Sequence, residues 1–110
     1  MSNEYLDVAA FDDVPEQGVL GVTGPSGEPL CLVRFNGQVS AFTDECTHQA
    51  FPLSAGEVHD DGTLECVWHG ARFACLTGAV VREPAIDPLT RYAVRVEDGR
   101  VLVGPVESAP

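Results

Sequence analysis

Short apolar runs alternate with polar positions along the whole chain, and Gly, Pro, Asn or Asp cut each run before it grows long. A period of two marks a half-buried strand, whereas a helix needs a period of about 3.6 kept over several turns, which no segment here keeps. The pattern predicts strands at residues 5–10, 19–23, 29–35 and 38–43, the first of them at a sheet edge because it mixes apolar with acidic residues. Further along it predicts 72–76, 79–82, 92–96 and 100–103. Turns follow from local chemistry. Asn36-Gly37 and Asp98-Gly99 tolerate the positive φ angles of tight hairpin turns, and stretches 12–18 and 24–27 gather Asp, Pro, Gly and Ser. Pro84 and Pro88 hold residues 83–90 as an extended loop, since proline lacks a donor and fixes φ. Residues 105–110 are expected to form a loosely held tail. The sum is an all-β antiparallel scaffold, sandwich-like or barrel-like, of about eight to ten strands. It forms one domain over residues 1–110, with residues 44–76 inserted as a small subdomain at one end.

A chain of 110 residues suits a single hydrophobic core. Six Lys plus Arg against seventeen Asp plus Glu leave a formal charge of −11. That balance repels nucleic acid and anionic membranes and favours basic or apolar partner surfaces. No basic segment followed by a long apolar run opens the chain, and no apolar stretch approaches the ~20 residues of a membrane span. A cytoplasmic protein is expected, and there four cysteines point to metal or redox chemistry before disulfides.

Two of those cysteines lie in the most informative stretch, CTHQAFPLSAGEVHDDGTLECVWHGARF. Cys46-Thr47-His48 and Cys66-Val67-Trp68-His69 each offer one thiolate and one imidazole in the same order, with seventeen residues between them. Laid side by side, the two knuckles bring cysteines to one end of a shared site and histidines to the other. Thiolate is soft and imidazole suits iron and zinc alike, so two metals with different ends fit the set. A single tetrahedral zinc remains open as the alternative, although zinc sites commonly draw like ligands from each half. Cys31 and Cys75 lie among apolar residues and read as small buried thiols. His59, in a polar turn, reads as a solvated surface histidine. Asp44, Glu45 and Glu57 are candidates for an acidic docking rim.

Cys-x-His followed by Cys-x2-His and then Gly70 resembles the signature of Rieske iron–sulfur proteins, and Leu53, Gly56, Phe73, Gly78, Pro84, Leu89 and Tyr92-Ala93-Val94 extend the similarity. The resemblance implies one [2Fe–2S] cluster, with Cys46 and Cys66 on one iron and His48 and His69 on the other. It also implies a positive φ at Gly70 and a loop at Pro84-Ala85 over the cluster. High-potential respiratory members carry hydroxyl side chains where this chain has Ala71 and Phe73, so a centre near the low end of the range of about −150 to +300 mV is expected. They also have a disulfide at the positions of Phe51 and Trp68, whose large side chains are expected to pack between the loops in its place.

The same resemblance implies a function. Rieske oxygenases add a second domain with an iron held by two histidines and a carboxylate. This chain has three histidines in all, and with two used for the cluster it is expected to be no enzyme. It looks like a free-standing monomeric ferredoxin that passes single electrons from an NADH-dependent flavin reductase to a terminal ring-hydroxylating dioxygenase. A cluster-bearing nitrite reductase subunit and a zinc-stabilised interaction module stand as alternatives.

Overall fold

Strand β3 (Pro29–Phe35) divides the interior in two. Its neighbour is β4 (Gln38–Thr43), in the register Cys31↔Phe42 and Leu32↔Ala41. Side chains alternate across a strand, so Cys31, Val33 and Phe42 enter one core while Leu30, Leu32 and Ala41 enter another on the opposite face. A strand buried on both sides needs apolar residues in succession, and Leu30, Cys31, Leu32 and Val33 are all buried.

The computed structural model describes residues 5–25, 27–45, 52–66, 70–82 and 88–108. Besides β3 and β4, the strands are β1 (Leu6–Ala10), β2 (Gly18–Thr23), β5 (Glu57–Val58), β6 (Thr63–Glu65), β7 (Arg72–Ala74), β8 (Val80–Arg82), β9 (Arg91–Glu97) and β10 (Arg100–Ser108). They form an antiparallel six-stranded sheet, β1-β10-β9-β4-β3-β2, and an antiparallel four-stranded sheet, β5-β6-β7-β8. The all-β expectation holds, and β1 lies at a sheet edge. Asn36 and Gly37 have φ of 54° and 77°, Asp98 and Gly99 of 51° and 73°, as two-residue hairpin turns between twisted strands require.

Three features depart from the expectations. β5 and β6 were not legible, because two or three residues carry no measurable period. Residues 75–77 form a turn and not the end of a strand. Most clearly, the expected loose tail is strand as far as Ser108: β10 continues past an irregularity between Val103 and Val106 and pairs Val106 with Tyr92. The irregularity falls at Pro105, which cannot donate to a regular ladder.

The second sheet lies wholly between β4 and β9 in sequence, and those two strands pair directly through Ala41↔Tyr92 and Phe42↔Arg91. The Thr43 amide donates to the Thr90 carbonyl at 3.1 Å and zips the base of this excursion. Phe42, Phe73, Leu53, Leu64 and Leu89 fill the core between the two sheets. Each such side chain, fully buried, stabilises the fold by about 1.5–3 kcal/mol.

Candidate metal centre

Of the four ligands expected from the sequence, Cys66 lies among the described residues; Cys46, His48 and His69 lie outside them. Phe51, Trp68, Pro84 and Ala85 lie outside them too. Cys66 follows directly on β6 and is 1 % exposed, in the same core as Leu53, Ala71, Phe73 and Leu89. Its amide donates to the Ala71 carbonyl at 2.8 Å, which joins the end of β6 to the residue before β7. Gly70 turns the chain there with φ of +72°, a backbone that a side chain would strain. That matches the expectation for this position.

Ala71 and Phe73 are both fully buried in this core and carry no hydroxyl. Opposite them, a short 3₁₀ turn, Leu53–Ala55, packs Leu53 into the same core. Gly56 follows and presses against the backbone of Glu65, where an added Cβ would lie 2.3 Å from the carbonyl oxygen. No larger residue fits at that approach. The segment leading away from the first knuckle thus rests on the residue that precedes Cys66.

One carboxylate and one histidine near the knuckles differ from the sequence reading. Asp44 does not stand on an acidic rim: its Oδ1 accepts from the Ser54 amide and its Oδ2 from the Ser54 hydroxyl, each at 2.7 Å. Glu45 and Glu57 are exposed, as a rim requires. His59 is no freely solvated histidine either. Its Nε2 lies 2.6 Å from Glu65 Oε1, and Arg72 Nη2 lies 3.6 Å from the same oxygen. Donor atoms of Glu57, His59 and Glu65 come within 4.8 Å of one another, but the Arg72 guanidinium already neutralises Glu65. His59, Glu65 and Arg72 form a cross-strand hydrogen-bond and ion-pair network that also reaches Asp61, 3.5 Å from Arg72 Nη1. Sequence reasoning missed it because Glu65 and His59 meet only once β5 and β6 pair.

Cys31 and Cys75 are buried in the core that holds Cys66, as small thiols among apolar residues were expected to be. Burial drives both thiol pKa values up, that of Cys75 to about 11, with the charge of Asp44 adding to the effect at Cys31 and that of Asp61 at Cys75. Neither is ionised at neutral pH.

Comparison with known proteins gives a consistent picture. The profile of the family described as Rieske [2Fe-2S] domain matches residues 4–93. The 3-phenylpropionate/cinnamic acid dioxygenase ferredoxin subunit of Escherichia coli (strain K12) is 38% identical over 99 residues, covering 89% of this chain and 91% of its own. Among solved structures, a chain from the complex of reduced oxygenase and oxidized ferredoxin in carbazole 1,9a-dioxygenase superposes with a TM-score of 0.86 at 30% identity, over 99% of this chain and all of its own. The ferredoxin of carbazole 1,9a-dioxygenase from Nocardioides aromaticivorans IC177 does so with a TM-score of 0.85 at 28% identity, over 92% and 97%.

Proposed function

The chain belongs to the Rieske [2Fe–2S] family, and from that premise we propose that it is the ferredoxin of an aromatic-ring dioxygenase system, carrying electrons one at a time to the terminal oxygenase. The observation that carries this reading is the setting of Cys66, a buried cysteine directly after β6 and before the turn at Gly70, in the sheet that lies between β4 and β9 in sequence. An apolar shell of this kind limits solvent access to a metal-bound thiolate and tunes its potential, and a soft sulfur ligand among Leu53, Ala71, Phe73 and Leu89 fits the cluster. Bound there, the cluster supplies a centre that gains and loses a single electron.

Within this reading Cys46 and Cys66 hold one iron and His48 and His69 the other. Leu53, Ala71, Phe73 and Leu89 keep water from the Cys66 side. The third histidine, His59, is engaged by Glu65, which leaves no pair of histidines to hold a mononuclear oxygen-activating iron. The chain carries electrons and does not itself oxidise a substrate.

An NADH-dependent flavin reductase is the proposed donor, and the cytoplasm the proposed site of action, with the carrier a monomer. Among the described residues no helix is long and apolar enough to cross a membrane. The charge of −11 steers the carrier towards basic patches on donor and acceptor, so electron-transfer rates fall as salt rises. The decisive experiment is elemental analysis of the purified chain with reductive titration. Iron and acid-labile sulfide in equal amounts, with a visible spectrum that bleaches on reduction, support the reading; one zinc without sulfide overturns it.

A further inference from the structure

We infer that Asp44 is a positioning residue for the cluster: by clamping Ser54 it holds the two ends of the first ligand segment and sets that segment against the backbone beside Cys66. The inference rests on the ligand assignment proposed above and concerns how the two ligand-bearing segments keep their spacing.

Asp44 stands two residues before Cys46, and Ser54 six residues after His48. Both oxygens of the one carboxylate are committed to Ser54, at 2.7 Å to the amide and 2.7 Å to the hydroxyl. Bonds to an ionised acceptor are roughly twice as strong as neutral ones. The Ser54 amide belongs to the 3₁₀ turn Leu53–Ala55, whose own N-terminal residue, Pro52, makes no side-chain cap. An amide at a turn's start needs a partner from elsewhere, and a residue ten positions away supplies it.

The clamp is anchored on both sides. The Asp44 amide donates to the Pro29 carbonyl at 3.1 Å, tying it to the start of β3. Gly21 of β2 leaves just enough room for Ser54, since an added Cβ would lie 3.2 Å from Ser54 Oγ and 3.5 Å from Asp44 Oδ2. From Ser54 the turn runs two residues to Gly56, which abuts the Glu65 carbonyl. A continuous line of contacts therefore links the residue two before Cys46 to the residue one before Cys66. Asp44 fixes one end of that line to the six-stranded sheet, so loosening it lets the two ligand segments drift relative to each other.

The test compares cluster-loaded wild type with Asp44→Ala, Asp44→Asn and Ser54→Ala. The readouts are the decay of visible absorbance in excess iron chelator, the line widths of the reduced cluster's electron paramagnetic resonance spectrum, and the unfolding midpoint. Residues that orient metal ligands typically change metal retention by about 10–100-fold when removed. Asp44→Ala is expected to lose the cluster about tenfold faster with broadened lines, well below its unfolding temperature. Asp44→Asn, which keeps an acceptor for the Ser54 amide and a donor for its hydroxyl but gives up the charge, is expected to lose the cluster more slowly than Asp44→Ala, and Ser54→Ala to fall between Asp44→Ala and wild type. Wild-type loss rates in Asp44→Ala, equal effects of Ala and Asn, or loss rates that merely follow the unfolding midpoint would each overturn the inference. Should Asp44→Ala not fold, Ser54→Ala decides: faster loss supports the clamp and an unchanged rate overturns it. A wild-type chain without iron and sulfide would overturn the ligand assignment itself, a distinct outcome.

Discussion

His59 Nε2 and Glu65 Oε1 stand 2.6 Å apart, and Glu65 is the residue immediately before Cys66. Both side chains are about three-quarters buried, so water competes little for the hydrogen bond between them. Among the described residues, His59→Ala leaves Glu65 with the Arg72 guanidinium at 3.6 Å. The expected loss is about 1 kcal/mol, lowering the thermal midpoint by about 4 °C. His59→Gln, which keeps a donor, is expected to recover part of it in the same melting experiment.

Asp7 and Arg100 join β1 to β10 through a two-pronged contact, Nε to Oδ2 at 2.9 Å and Nη2 to Oδ1 at 2.9 Å. The Arg100 hydrogen bonds hold the Asp7 carboxyl below its ordinary value of 3.8. A depressed carboxylate contributes stability above its unfolded value and loses it as pH falls through the folded one. Protection of β1 amides from hydrogen exchange should therefore decline once pH drops below the ordinary carboxylate range. Asp7→Asn should show the weaker protection already at neutral pH and no further loss from this pair on acidification.

Cys31 and Cys75 should resist alkylation in the native protein at pH 8 and react on denaturation. The thiolate is the nucleophile, and burial keeps both groups protonated there, Cys75 with a pKa of about 11 and Cys31 higher still. Mass spectrometry of peptides after iodoacetamide treatment checks this. Rapid labelling of either residue in cluster-loaded protein would contradict the packing described.

Ala71 and Phe73 bear on the reduction potential. With no side-chain hydroxyl at either buried position, the potential is expected below about +100 mV within the family's span. Ala71→Ser and Phe73→Tyr should move it upward, because a hydrogen bond to a cluster sulfur favours the reduced form. Spectroelectrochemical titration measures the shift. A buried hydroxyl that finds no partner costs about 1–3 kcal/mol, so lower stability with an unmoved potential would show the hydroxyl aimed elsewhere.

Gly56→Ala is expected to disturb the cluster more than the fold. Its Cβ would meet the Glu65 carbonyl at 2.3 Å, and only backbone movement relieves that clash, at about 1–3 kcal/mol. The movement is passed to Cys66, the next residue. Iron content of the purified variant should fall while its far-ultraviolet circular dichroism keeps the β signature.

The elements readable in advance are those set by near neighbours. Asn36-Gly37 and Asp98-Gly99 specify their turns by their own backbone preferences, and β3, β4 and β9 announce themselves by β-branched and aromatic content over six or seven residues. β5 and β6 escape because the pairing Glu57↔Glu65 and Val58↔Leu64 holds them, not any local propensity. His59 looked solvated beside Asp60 and Asp61, yet its partner is Glu65, on the adjoining strand β6. Asp44 looked like a surface acid for a similar reason: nothing in its neighbourhood along the chain points to Ser54.

The spacing of two Cys/His knuckles, the hairpin turns and the acidic balance can all be read along the chain, because each depends on residue type and short separation. From them came the family, the β architecture and the kind of cofactor. Which way Asp44 turns, how closely Gly56 approaches Glu65, and that β3 parts two cores depend on segments brought together across the sheets. Those contacts exist only after the chain has folded, since they join residues whose local sequences carry no mutual signal.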